Sequence, residues 1–185
     1  LFRSAQAMRL PTFGKPRIVS CAELHPRHVA LPRGSFDEVV GFLSDHGVRA
    51  ELDDLREDGT RLPETVCFRG ELRQQQSRAF EALAEHDTGV LAATTAFGKT
   101  VVASALIARR ASNTLVLVHR RELLSQWIER LKSFLQIDPK QIGTIGAGKR
   151  KPTGVVDVAL IQSLVRKGEV DDIVADYGHL IVDEC

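Results

Sequence analysis

The sequence predicts an α/β protein: a parallel sheet with flanking helices, preceded by a small α+β domain. From about residue 67 onward, short aliphatic runs alternate with helical apolar stripes, the pattern of strands joined by crossover helices. Residues 1–66 show one well-marked helix among short extended segments and turn residues. With 185 residues, 43% hydrophobic and 26% charged, the chain can bury an ordinary core as one domain or two small ones.

In order along the first part, Arg17 to Ala22 is expected as a strand and His28 to Leu31 as a second. Ser35 then reads as the N-cap of a helix, with Asp37 and Glu38 where the helix dipole favours negative charge. Phe36, Val39, Val40, Phe42 and Leu43 form its apolar stripe, which stops near Gly47. Val48 to Leu52 alternates as a strand should, and Asp53 to Gly59 reads as an exposed acidic turn. The polar stretch around Pro63 marks the boundary between residues 1–66 and 67–185.

Past that boundary the predicted order is a helix from Arg73 to Glu85, a buried strand Gly89 to Ala93 and a helix Lys99 to Arg110. A strand Thr114 to Val118, a helix Arg121 to Phe134 and a strand Val155 to Ile161 come next. A helix near Asp171 and a strand His179 to Val182 complete it. Trp127 shares a helical face with Leu123, Leu124, Ile128 and Leu131, so it is expected in the core.

Three scattered cysteines, Cys21, Cys67 and Cys185, contain no CxxC pair, and the six histidines show no ligand spacing, so neither a disulfide framework nor a zinc or iron site is expected. No apolar run approaches the roughly 20 residues that span a bilayer, and no signal peptide opens the chain, so the expected location is cytoplasmic, away from membrane. The net charge of +1 neither requires nor forbids a nucleic-acid partner, because the local field decides. Basic clusters do occur, at Arg109-Arg110, His119-Arg120-Arg121 and Lys149-Arg150-Lys151. The chain begins without Met and stops just after an apolar run, so it is expected to be a fragment of a longer protein.

The segment Ala93-Thr94-Thr95-Ala96-Phe97-Gly98-Lys99-Thr100 stands between a predicted strand and a predicted helix, the setting of a Walker A phosphate-binding loop. Backbone N–H groups of Thr95, Ala96, Phe97 and Gly98 would surround the β-phosphate of ATP, and Gly98 would allow close approach of main chain to ligand. Lys99 would reach the β- and γ-phosphates, and the Thr100 hydroxyl would hold Mg²⁺. A second GxxxxGK match, Gly143 to Lys149, lacks the following hydroxyl and is followed by Pro152 and Gly154, which obstruct a helix. It reads instead as a flexible basic loop, Gly146 to Lys151, in which Lys149 either touches nucleic-acid phosphates or is merely solvated. Leu180-Ile181-Val182-Asp183-Glu184 is an apolar strand ending in two acids, where open α/β sheets bind ligands. Asp183 would hold Mg²⁺ and Glu184 would orient or deprotonate the attacking water.

Asp183-Glu184-Cys185 resembles the opening of a DECH-type Walker B motif, and ATTAFGKT resembles motif I of superfamily 2 helicases and translocases. Leu72-Arg73-Gln74-Gln75-Gln76 resembles the LRPYQ leader of restriction-enzyme motors and XPB-like repair helicases, with Gln74 and Gln75 replacing the usual Pro and Tyr. Thr114 to Leu124 followed by Gln126-Trp127 resembles motif Ia, and Val158 to Leu164 resembles a later DNA-contacting motif of the same lobe. The resemblance covers residues 68–185. It implies a RecA-like P-loop lobe, truncated, over 67–185, with Gln76 and Arg73 selecting adenine. It also implies nucleic-acid backbone contacts from His119, Arg120, Arg121, Gln162 and Ser163. Arg121 has the alternative of charging a helix start, and Gln162 of capping a helix. The implied protein is an ATP-driven helicase or translocase acting on double-stranded or branched DNA, with a second RecA-like lobe in the full-length chain. On that reading the fragment alone binds ATP and Mg²⁺ but hydrolyses weakly or not at all. Residues 1–66 resemble, more faintly, small domains that bind or sense DNA ahead of such motors. Two other classes fit the residues: a P-loop ATPase switch that does not translocate, and a module that only binds DNA or a partner.

Overall fold

Contacts within the computed structural model, which describes residues 21–166 and 168–184, divide the chain into Leu1–Asp54 and Leu55–Cys185. In the first unit β1 (Glu23–Leu24) and β2 (Val29–Ala30) pair antiparallel, and α1 (Phe36–Asp45) follows a short 3-10 turn. Ser35 sits at the start of α1, but its hydroxyl donates to the Pro32 carbonyl at 2.7 Å and does not cap the helix. Gly47, at φ +73°, takes the left-handed conformation just past the end, which costs glycine nothing. The strand expected over 48–52 does not form, because no described strand lies alongside to complete its hydrogen bonds. The strand expected over 17–22 falls mostly outside the described residues.

The second unit is built on a five-stranded sheet in the order β11-β4-β8-β6-β7. Its strands are β4 (Thr114–Val118), β6 (Ile142–Gly146), β7 (Lys149–Lys151), β8 (Val156–Leu160) and β11 (His179–Val182). All neighbours are parallel except β6 and β7, with Val116 opposite both Val158 and Ile181. Three helices accompany it: α2 (Gln74–Ala84), α3 (Lys99–Arg110) and α4 (Arg121–Phe134). Both faces of β4 and β8 are covered, as parallel strands require. Ile107, Trp127 and Leu131 pack on Val116, Val118 and Val158, while Leu164 and Tyr177 pack with Leu115, Ile145 and Ala159 opposite. A two-stranded pair, β3 (Cys67–Phe68) with β5 (Leu135–Gln136), flanks this core. Leu62 and Val66 are buried within it, so the stretch around Pro63 lies inside the second unit.

Three elements of the second unit differ from the sequence pattern. Gly89 to Ala93 joins no ladder and Val90 is 83% exposed; β11 ends the sheet, and no described strand stands beside that segment to pair with it. The predicted loop Gly146 to Lys151 is the hairpin β6–β7, turned by Ala147 (φ 53°) and Gly148 (φ 80°), two successive positive φ values that match the twist of paired strands. This arrangement also removes the helix that a phosphate loop at Gly143 to Lys149 would need. Around Asp171 the helix shrinks to a 3-10 turn, Asp172–Asp176, preceded by a small hairpin of β9 (Val165–Arg166) and β10 (Glu169–Val170).

Asp157, fully buried in β8, is the polar exception within the sheet. Its carboxylate accepts hydrogen bonds from the Thr153 and Gly154 amides, the Thr153 hydroxyl and the Tyr177 phenol. A buried charge is tolerated when its acceptor sites are filled in this way. Gly143 is required beside it, since a Cβ there would lie 1.9 Å from Asp157 Oδ1.

Candidate functional site

Because β4, β6, β8 and β11 are parallel, the segments leaving their C-terminal ends share one edge of the sheet. His119 and Arg120 follow β4, Ile161–Ser163 follows β8, the Ala147-Gly148 turn follows β6, and Asp183 and Glu184 follow β11. Helix α3 enters β4 through only Ala111 to Asn113 and packs on the sheet, so it runs back antiparallel to that strand. Its 12 residues span roughly 18 Å and the five of β4 roughly 16 Å, which returns the start of α3 to the same edge. By this topology Lys99 and Thr100 start from the same edge that Asp183 and Glu184 leave, though the two pairs are more than 80 residues apart in sequence.

At the start of α3, Ala96 (φ 66°) and Gly98 (φ 89°) are both left-handed, and no side chain caps the helix. Uncapped N–H groups below a left-handed turn are the arrangement that receives a phosphate. The loop is held from α2. Gln76, 3% exposed, donates from Nε2 to the Phe97 carbonyl at 2.7 Å and accepts from the Arg73 amide at 2.9 Å, one half of a capping box. The Arg73 guanidinium also donates to the Phe97 carbonyl. A Cβ on Gly98 would stand 2.5 Å from Gln76 Nε2, so glycine is needed for close approach as well as for φ. A cavity of about 190 Å³ opens beside the loop, lined by Arg73, Gln74, Gln75, Gln76 and Phe97. The i, i+3 spacing of Arg73 and Gln76 is a signal from which their contact with each other could have been read; their grip on Phe97 has none.

At the acidic end, the Asp183 amide donates to the Leu117 carbonyl at 2.9 Å, and its Oδ2 accepts from the Trp127 indole at 2.7 Å. Glu184, left-handed at φ 59°, brings its carboxylate to 3.5 Å from His119 Nε2. A hydroxyl at Thr100 and a carboxylate at Asp183 are hard oxygen donors, the type that suits Mg²⁺, so the residues present fit that ion. Trp127 lies in the core as its spacing predicts, but its bond to Asp183 left no mark in the sequence.

Of the residues expected to meet nucleic acid, the structure joins His119 and Gln162 directly: Gln162 Nε2 donates to the His119 carbonyl at 2.9 Å, tying the loops after β4 and β8 together. Arg120 and Arg121 are exposed, the latter as the first residue of α4, and Ser163 is half-buried. Lys149 is exposed on β7 opposite Gly146. Its neighbour Arg150 is engaged with Asp171 at 2.8 Å. The Ile173 amide first, and that guanidinium second, hold the Asp171 carboxyl below its usual range. No helix among the described residues is long and apolar enough to cross a membrane.

Residues 69–185 match the model of a family described as type III restriction enzyme, res subunit. The chain is 31% identical over 114 residues to the DNA 3'-5' translocase XPB2 of Sulfurisphaera tokodaii, which covers 62% of this chain and 25% of that protein. It is 28% identical over 143 residues to a relative named as helicase 109L in Invertebrate iridescent virus 3, covering 74% of this chain and 42% of the other. The chain thus spans a quarter to under half of these curated relatives. Among solved structures it resembles the UvsW helicase of bacteriophage T4 with a TM-score of 0.64 at 18% identity, over 88% of this chain and 64% of that one. At that identity the likeness concerns the fold, a RecA-like α/β sheet with flanking helices.

Proposed function

The chain belongs to the family of type III restriction enzyme res subunits, a family of superfamily 2 helicases and translocases, and from that premise we propose that it is the ATP-binding lobe of a motor acting on double-stranded or branched DNA. The observation that carries the proposal is that an uncapped phosphate-type loop, an acidic pair, a basic loop after β4 and the polar loop tied to it after β8 all leave one sheet edge.

In this reading Lys99 neutralises the β- and γ-phosphates, and the amides of Thr95, Ala96 and Gly98 with Thr100 surround them, while the Phe97 amide donates to the Thr94 carbonyl at 3.2 Å. Thr100 and Asp183 hold Mg²⁺, which when bound offsets charge on the phosphate oxygens. Glu184 orients water and accepts its proton, while Gln76 and Arg73 fix the adenine edge from the cavity beside the loop. His119, Arg120, Arg121, Gln162, Ser163 and Lys149 meet phosphate and sugar, contacts that position nucleic acid without reading its sequence. The activity named for the XPB2 relative supports DNA as the substrate. The larger size of the relatives supports a second RecA-like lobe in the complete protein, supplying cationic groups that stabilise the transferring phosphoryl charge. A chain without such groups would bind nucleotide and turn it over slowly. The first unit, residues 1–54, serves in this reading as a DNA-binding or DNA-sensing domain.

The test is ATP hydrolysis by the complete protein with and without single- and double-stranded DNA and RNA. Double-stranded DNA should stimulate most, and Lys99→Ala should cut turnover by roughly 100-fold or more, as expected for removing a group that stabilises transition-state charge. Unchanged turnover in that variant would refute the nucleotide site. Turnover indifferent to every nucleic acid would point to an ATPase switch.

A further inference from the structure

Trp127, the only tryptophan in the chain, sits near the middle of α4 with its ring packed among Val116, Val118 and Leu131. A buried indole N–H needs an acceptor, and any nearby carbonyl would satisfy it. Here it reaches 56 residues along the chain to Oδ2 of Asp183, at 2.7 Å. The other end of Asp183 is pinned too, by its amide on the Leu117 carbonyl at 2.9 Å. Main chain and one carboxylate oxygen are therefore both fixed, while Oδ1 carries no hydrogen bond among the described residues.

We propose that Trp127 is a positioning residue for the metal-binding carboxylate: its indole N–H holds Oδ2 so that Oδ1 is presented to the divalent cation of a bound nucleotide. The inference rests on the nucleotide-site reading above and deepens it. A neutral donor suits this task. A cationic side chain would hold the carboxylate equally well but would repel the incoming ion, whereas an indole fixes the rotamer and adds no net charge. Its rigid ring, locked in the core, also transfers the precision of the sheet to a residue at the sheet's edge.

The experiment compares wild type and Trp127→Phe in the complete protein, measuring ADP affinity by displacement of a fluorescent ADP analogue in Mg²⁺ and in EDTA. Phenylalanine keeps a packed ring and loses only the donor and some volume. Expected is an affinity in EDTA unchanged within about twofold, with the gain conferred by Mg²⁺ reduced by about 10-fold, the lower end of the range for removal of a ligand's outer hydrogen bond. An undiminished Mg²⁺ gain, or an equal loss in both conditions, overturns the proposal and leaves Trp127 as packing alone. If Trp127→Phe does not fold, the ¹⁵N-labelled indole resonance of the wild type decides. It should shift on addition of Mg²⁺ to the ADP complex, and an indifferent resonance overturns the proposal. A wild type that binds ADP no better than Lys99→Ala removes the nucleotide-site reading and this inference with it, an outcome distinct from the others.

Discussion

Substituting Gly98 by Ala tests how the loop ahead of α3 is held, and a double-mutant cycle with Gln76→Ala makes the test quantitative. Alanine at φ 89° carries left-handed strain of about 1 kcal/mol. Its Cβ would also stand 2.5 Å from Gln76 Nε2, within contact distance of an amide that is 3% exposed and bonded to Phe97 and Arg73. Moving that amide forfeits two hydrogen bonds at about 1 kcal/mol each. Gly98→Ala is thus expected to cost about 3 kcal/mol and Gln76→Ala about 2 kcal/mol. The double variant should cost about 3 kcal/mol and not 5, because the bonds can be lost only once, giving a coupling of about 2 kcal/mol. Urea unfolding followed by the emission of Trp127 reports on the unit that contains both residues, since it is the chain's one tryptophan. Costs that add to within about 0.5 kcal/mol would refute the idea that Gln76 grips the loop.

Two further predictions concern buried polar groups. Tyr177→Phe removes the phenol donor from Asp157 and should cost about 2 kcal/mol, the worth of a hydrogen bond to a buried charge; a loss under about 0.5 kcal/mol in the same urea assay would contradict the network. Burial first, then the neighbouring carboxylate, holds the Tyr177 phenol protonated well above its ordinary range, so it remains the donor at any working pH. Burial also pushes His179 down to about 4 from 6.5, with Arg110 adding to the shift. As pH falls, the unfolded chain takes up this proton before the folded one, so stability is lost between about pH 6.5 and about 4, by about 3 kcal/mol in total. His179→Gln should remove that part of the slope in stability measured against pH, and identical slopes in variant and wild type would refute the assignment.

Local pattern was sufficient for the helices α2, α3 and α4 and for strands β4, β8 and β11, whose apolar periodicity and end signals agree with the structure to within a residue or so. It was sufficient too for rejecting a helix after Lys149: Pro152 and Gly154 obstruct one, and a strand stands there. Strandhood at 89–93 was not legible in the same way, because a strand exists only against a neighbour, and apolar composition does not supply one. The hairpin β6–β7 was equally hidden. Its glycines are explained by Asp157 and Leu160, which press on Gly143 and Gly146 from the adjoining strand.

The sequence by itself determined the chemistry available: a segment of Walker A pattern from Ala93 to Thr100, an acidic pair at Asp183 and Glu184, and basic residues at His119 to Arg121. Those are contiguous patterns, readable because each element's function depends on residues side by side in the chain. Only the tertiary structure decided how they are held: Gln76 and Arg73 on the Phe97 carbonyl, Gln162 on the His119 carbonyl, and Trp127 on Asp183. These partners are 21 to 56 residues apart, and nothing in a side chain's own sequence says which carbonyl or carboxylate the folded sheet will bring within 3 Å of it.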